Sequence, residues 1–177
     1  MIKIAVLGVE STGKSTLTQN LAQKFDTIAI DEFARSYLEQ INRPYTFEDI
    51  NLIAEGQKKS IEQNTQKYTQ KKVIFADTEL LVVKIWSEFV FGKCPAWIEN
   101  EVPKQDFKHY LLTDIDLPWQ KDHLREYPDL QVREKLHRIY LENLIKYNFS
   151  FSLINSLGEK RLEKALAIVE EILKNTP

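Results

Sequence analysis

A chain of 177 residues with 43% hydrophobic and 28% charged residues can bury a sizeable core as one domain over 1–177, covering about 70% of its unfolded surface. A net charge of −2 argues against a large nucleic-acid footprint, and no stretch approaches the roughly 20 apolar residues of a membrane span. A single cysteine, Cys94, excludes an internal disulfide and fits a reducing, cytoplasmic setting, while His109, His123 and His137 lack metal-ligand spacing with it.

Ile2-Lys3-Ile4-Ala5-Val6-Leu7 predicts a buried strand. It runs straight into Gly8-Val9-Glu10-Ser11-Thr12-Gly13-Lys14-Ser15-Thr16, which leaves no room for a secretory layout. Two glycines five positions apart, followed by Lys and a hydroxyl residue, fit the phosphate-binding template. Leu17, Leu21, Ala22 and Phe25 then fall on one helical face, so strand, glycine loop and helix occur in the required order. The glycines let the backbone approach a ligand without a Cβ. The N–H groups of the loop and of the helix start form an anion nest. Gly8, Glu10, Ser11, Thr12, Gly13, Lys14, Ser15 and Thr16 are therefore the candidate nucleotide-binding residues, with Lys14 at the β- and γ-phosphates and Ser15 on Mg²⁺.

Thr27–Ile30 predicts a second strand, ending in Asp31 and Glu32 before a helix that contains Arg35. Carboxylates just past a strand end lie where α/β sheets place ligands. Glu32 and Arg35, three apart, could equally form an ordinary helical ion pair. Asn42-Arg43-Pro44 breaks that helix, and Thr46 caps the next, expected from about Phe47 to Tyr68. Its buried side holds Ile50, Ile53, Ala54 and Ile61, whereas Gln57 is expected to face solvent or a substrate.

Val73–Ala76 is a third apolar run, closed by Asp77. An aliphatic strand ending in Asp is the arrangement that serves Mg²⁺ in P-loop proteins. The same carboxylate could accept an acceptor's hydroxyl proton, or cap the helix that follows through Leu80 and Ile85. Gly92, Pro95 and Pro103 punctuate residues 89–102, where Trp86, Phe91 and Trp97 either stack on a planar base or pack in the core.

A fourth strand over Tyr110–Thr113 leads into a charged, proline-bounded stretch with the character of a lid, approximately 114–130. Arg125 is the first choice for an arginine covering the transferred phosphoryl group, and Arg133 the second. An amphipathic helix follows through Val132, Leu136 and Leu144, then a fifth strand over Phe149–Ile154 and a last helix. Gly158 and Arg161 open that helix, at the adenine or on a plain charged face. Five strands alternating with helices predict a three-layer α/β domain with a parallel sheet and one shared cleft beyond the strand ends.

Four segments together resemble the NadR-type nicotinamide-riboside kinase domain, a P-loop kinase family. They are 8–16, Asp-Glu-Phe-Ala-Arg at 31–35, Ala-Asp-Thr-Glu at 76–79, and Tyr-Leu-Leu-Thr-Asp-Ile-Asp-Leu-Pro-Trp at 110–119 with Leu124-Arg125. The resemblance implies the sheet order 2-3-1-4-5, ATP and Mg²⁺, and phosphorylation of a ribosyl hydroxyl on a nucleoside-like acceptor. It supports Lys14 and Ser15 at phosphate and metal, Asp77 at acceptor hydroxyl or metal, and Arg125 in the lid. Asp31, Glu32, Arg35, Trp97 and Trp119 are the acceptor-side candidates. No adenylyltransferase segment precedes the loop, which predicts a stand-alone kinase. Where bacterial members carry an aromatic residue able to stack on nicotinamide, this chain has Asp31, a departure that bears on the acceptor. Other nucleoside or nucleotide kinases, and an ATP-dependent switch without an acceptor, use the same scaffold. A guanine-reading Asn-Lys-x-Asp segment is not present.

Overall fold

The computed structural model describes residues 1–41 and 43–176; Asn42, the first residue of the expected helix break, lies outside them. Strands β1 (Ile2–Leu7), β2 (Ala29–Ile30), β3 (Val73–Asp77), β4 (His109–Thr113) and β5 (Phe151–Ile154) form one sheet in the order β2-β3-β1-β4-β5. Each neighbouring pair is parallel. Side chains alternate across β1, and this alternation divides the core. Ile4 and Val6 pack with Leu17 and Leu21 of α1 (Lys14–Lys24) and with Ala165 and Val169 of α7 (Gly158–Lys174). Ala5 and Leu7 face the opposite layer. That layer holds Ile50 and Ile53 of α3 (Phe47–Lys67), Leu81 and Ile85 of α4 (Leu80–Phe91), and Leu136 and Leu144 of α6 (Leu130–Lys146). The three-layer expectation and the sheet order are both met.

Several boundaries differ for physical reasons. The second strand shrinks to two residues because Thr27 turns its hydroxyl onto Val73 O (2.6 Å) and its N–H onto Ala22 O (2.9 Å) instead of extending the ladder. Phe149 stays outside β5, stacking on Tyr110 at 4.8 Å while its N–H closes the turn after α6 onto Leu144 O. The punctuated 89–102 stretch is largely helical. Gly92 ends α4 in the left-handed conformation (φ 67°), Pro95 precedes α5 (Ala96–Glu101), and Pro103 sits in a following 3-10 turn, Val102–Lys104. Prolines at helix starts are compatible with helix, since the missing N–H would be unsatisfied there anyway.

Asp77 is not the helix cap. It ends β3, and Glu79 caps α4 by accepting from Leu81 N at 2.7 Å. Glu79 is fully buried, also accepts from Gln105 Nε2, and has one oxygen without a hydrogen-bond partner among the described residues. Burial pushes its carboxyl from the ordinary 4.5 up to about 7. A carboxyl held protonated in the fold contributes stability that is fully present below about 4.5 and lost as pH rises through about 7. Glu79→Gln should therefore raise Tm by roughly 2–6 °C at pH 8, with the gain vanishing by about pH 5, as thermal melts across pH would register.

Candidate functional site

The loop between β1 and α1 is held in a curl by hydroxyl groups. Thr12 Oγ1 donates to Val9 O at 2.6 Å and lies 2.7 Å from Thr113 Oγ1, which in turn reaches Leu7 O at 3.1 Å. Gly8 (φ 143°) passes so close to β4 that a Cβ would stand 2.4 Å from Thr113 Oγ1 and 2.9 Å from its carbonyl oxygen. Gly13 (φ 75°) turns the chain into α1. That helix begins without an acidic residue in its first turn and without a side-chain cap among the described residues. Its first N–H groups and positive dipole end are thus left to an external anion. Lys14 folds back over the loop, Nζ donating to Val9 O at 3.1 Å.

Opposite the lysine stands a pair of carboxyls. Val6 of β1 is in register with Asp77 at the end of β3. Asp77 is 3% exposed, and its Oδ1 has no hydrogen-bond partner among the described residues. Burial pushes its carboxyl above the usual range, with Lys14 and a hydrogen bond from Ser15 drawing it back. Glu32, at the mouth of the same space, is also raised by burial and drawn down by Lys14, while the charge of Asp77 adds to the rise. An orphaned buried carboxylate oxygen beside a hydroxyl suits a divalent cation. Among the described residues no cluster of three or more His, Cys, Asp or Glu side chains could hold a metal alone. Ser15 and Asp77 are the residues here that could hold such a cation, and Mg²⁺ commonly takes only one or two carboxylates from the protein.

Residues 114–129 run as turns and bends against this loop. Gln120 N donates to Ser11 Oγ at 2.9 Å, and Arg125 reaches Ser11 Oγ (3.4 Å) and Gln120 O (2.6 Å). The Glu10 carboxylate accepts from Glu126 N (3.0 Å) and Tyr127 N (2.5 Å). Glu10 thus works as a tether between the two loops, a role that sequence reading does not assign. Removing it in Glu10→Ala should release residues 124–127, seen as roughly tenfold or greater loss of amide-exchange protection there with α1 unchanged.

Arg35 does not pair with Glu32; it reaches across to Asp122 at 2.5 Å, because Glu32 precedes α2 (Phe33–Ile41) rather than sharing its face. Arg161 is buried (6% exposed), donating to Asp116 Oδ1 (2.6 Å), Ser156 O (3.1 Å) and Thr12 O (2.8 Å). It holds the loops together rather than completing a solvated helix face. Gly158 (φ 58°) and Arg161 border a cavity of about 600 Å³ with Gly13, Thr16, Asn20 and Leu117. Arg133, the second-choice arginine, is buried beneath the Trp119 ring at 5.6 Å, with a 3.5 Å contact to Ser11 O.

A second cavity of about 380 Å³ joins the phosphate loop from Gly8 to Thr16, Glu32, Arg35 and Arg125 to an aromatic wall. That wall is Tyr45, Trp86, Phe89 and Tyr127, with Leu38, Val82 and Ile85. Tyr45 is its hinge: its hydroxyl donates to Glu126 Oε2 (2.7 Å) and accepts from Trp86 Nε1 (3.1 Å). Tyr45, Phe89 and Tyr127 were not distinguishable as wall residues, since no local spacing links them. Trp97 needs correction as an acceptor-stacking residue: its Nε1 donates to Asn51 Oδ1 at 2.7 Å and its ring packs on the core. Phe91 packs edge-on against Tyr45 and Phe47, behind the wall. Trp119 covers Arg133 and Asp31 is solvent-exposed; both lie outside the lining of this cavity.

A parallel sheet that delivers a glycine loop into a helix start, with a buried Asp on the adjacent strand end, defines a P-loop nucleotide-binding domain. The chain belongs to the AAA-domain family, whose pattern it matches over residues 3–161. It is 27% identical over 177 residues to the trifunctional NAD biosynthesis/regulator protein NadR of Escherichia coli (strain K12), covering 96% of this chain and 42% of that protein. Against the protein of the same name from Salmonella typhimurium (strain LT2) the identity is 26% over 175 residues, with the same coverage. The chain therefore spans less than half the length of these relatives. A NadR protein in complex with NR superposes with a TM-score of 0.83 at 18% identity, over 99% of this chain and 52% of that one. A thymidylate kinase from Ehrlichia chaffeensis gives 0.70 at 11% identity, over 95% and 98% of the two chains. These structures share the fold. Among the described residues, no helix is long and apolar enough to cross a membrane.

Proposed function

We propose that the chain is an ATP- and Mg²⁺-dependent kinase that phosphorylates a ribosyl hydroxyl of a nucleoside-like acceptor, with nicotinamide riboside the first candidate. One observation carries the reading. The phosphate loop with Lys14, Glu32 and an aromatic wall all line a single cavity. A pure nucleotide switch has no use for the second half of that space. The curated NadR relatives and the NadR complexes with NR and with NAD and AMP-PNP support the same class of chemistry.

The transfer forms a bond from the acceptor oxygen to the γ-phosphorus and breaks the bond to the β,γ-bridging oxygen, releasing ADP. Loop amides and Lys14 neutralise the phosphate oxygens, and Arg125 approaches from the lid over residues 114–130. Ser15 and Asp77 would hold Mg²⁺, which would supply charge neutralisation at the transferred phosphate when bound. Glu32 lines the cavity, and in this reading its carboxylate is the group to orient the acceptor hydroxyl and receive its proton. Tyr45, Trp86, Phe89 and Tyr127 enclose the planar ring. The cavity of about 600 Å³ bordered by Arg161 and Gly158 is the place we propose for the adenine.

An ADP-release panel of ribosides, nucleosides and nucleotides tests this directly. ADP should form in proportion to an added nucleoside-like acceptor, with nicotinamide riboside among the effective ones. Acceptor-independent release throughout the panel would leave only the switch.

A further inference from the structure

Gln57 was expected at solvent or substrate, yet it is 1% exposed and does neither. It lies in the middle of α3, and its two amide atoms are used on two different segments. Oε1 accepts from Phe33 N at 2.7 Å, and Nε2 donates to Thr78 O at 3.3 Å. Because one partner can only donate and the other only accept, the amide has one orientation. Phe33 follows Glu32 directly, and Thr78 follows Asp77. The side chain therefore ties together the segments just after the site's two carboxyls.

The tie anchors a loose segment to a firm one: Asp77 is in register with Val6 and Thr78 N donates to Val6 O at 3.1 Å, whereas the Glu32 side has little else to hold it. The β2–β3 ladder pairs only Ala29 with Phe75 and Ile30 with Ala76, so Glu32 lies beyond the last rung. Phe33 N begins α2 and is one of the donors that a helix start leaves unmet. Thr78 is a β-branched residue at φ 70°, a conformation costing on the order of 1–3 kcal/mol, which persists only where surroundings impose it. The preceding residue of α3 grips the same segment. A Cβ on Gly56 would stand 2.2 Å from the Phe33 ring, so glycine there lets the ring seat against the helix. Glycine inside a helix costs about 1 kcal/mol relative to alanine, which fits a packing reason for it.

We infer that Gln57 is a positioning residue which, with Gly56 seating the Phe33 ring, fixes the segment that carries Glu32 relative to the strand end that carries Asp77. The inference rests on the kinase reading above, because only an acceptor hydroxyl and a metal-bound phosphate held at once require that placement. Gln57→Met keeps the bulk of the side chain and removes both hydrogen bonds. The phosphate loop is braced separately by the Thr12–Thr113 contact and should be unaffected.

The test compares wild type, Gln57→Met, Gly56→Ala and Ser87→Ala by acceptor-stimulated ADP release with nicotinamide riboside, AMP-PNP titration with Mg²⁺, and thermal melts. Ser87 is buried outside the cavity's lining and donates to Lys93 O at 2.7 Å, so its loss reports destabilisation. Gln57→Met should lower kcat/KM for the acceptor about 10- to 100-fold while AMP-PNP Kd stays within about twofold. Ser87→Ala should lose Tm and keep kcat. Should Gln57→Met fail to fold, Gly56→Ala displaces the same segment and carries the same expectation. Wild-type kcat and acceptor KM in the folded variant would overturn the inference. A wild-type enzyme silent toward every acceptor would instead remove the kinase reading, and this inference with it.

Discussion

Lys14→Ala should lower kcat by about 10³-fold or more, with far-UV circular dichroism unchanged. The lysine stands at the start of α1 with Nζ against Val9 O, so it contributes to the loop's field rather than to the core. Its removal leaves the amide nest and the Thr12–Thr113 brace intact. Fold and residual nucleotide binding should survive, whereas the charge proposed to develop on the transferred group would lose one of its cations. A variant retaining near-normal turnover would remove Lys14 from the chemistry. One that fails to fold would assign it a structural role instead.

The second large effect belongs to Asp77. Asp77→Asn preserves shape and burial but removes the charge, and kcat should fall roughly 10²- to 10³-fold with a higher Mg²⁺ requirement. The wild-type pH profile carries a related expectation. Burial raises the Asp77 carboxyl, with Lys14 and Ser15 only partly opposing the rise. In the proposed role the ionised form is the active one, so activity should decline as pH falls, and should do so at a higher pH than an ordinary aspartate would give. The contribution to stability has the opposite sign. A raised carboxyl favours the fold while protonated, and that contribution is lost as pH rises through its shifted pKa. Asp77→Asn should thus move the acid limb of kcat to lower pH, leaving the part that Glu32 contributes, and cost little Tm at neutral pH. Measured kcat from pH 5 to 9 at saturating Mg²⁺ separates the two effects.

The phosphate loop was legible because its chemistry is contiguous: strand, glycines, lysine and hydroxyl lie within sixteen residues and need no partner from afar. Asp77 was legible for the same reason, since an aliphatic run ending in Asp puts its carboxyl at the strand's ligand-facing end. The sheet order needed more than periodicity, which finds strands but does not order them. Contacts between distant segments left no local trace. Glu10 tethers Tyr127 across 117 positions, and Gln57 spans Phe33 and Thr78. Both are polar residues whose composition suits solvent equally well. Aromatic residues misled in the other direction: Trp86 lines the cavity while Trp97, eleven residues later, bonds to Asn51. Both have the bulk to stack on a ring, and only the packing of α4 against the rest of the chain separates them.

Quantifying phosphorylated acceptor against ADP in one reaction with nicotinamide riboside tests the central claim most directly. The two products should appear one for one, and both should be lost together in Lys14→Ala. ADP accumulating without a phosphorylated acceptor would contradict the account.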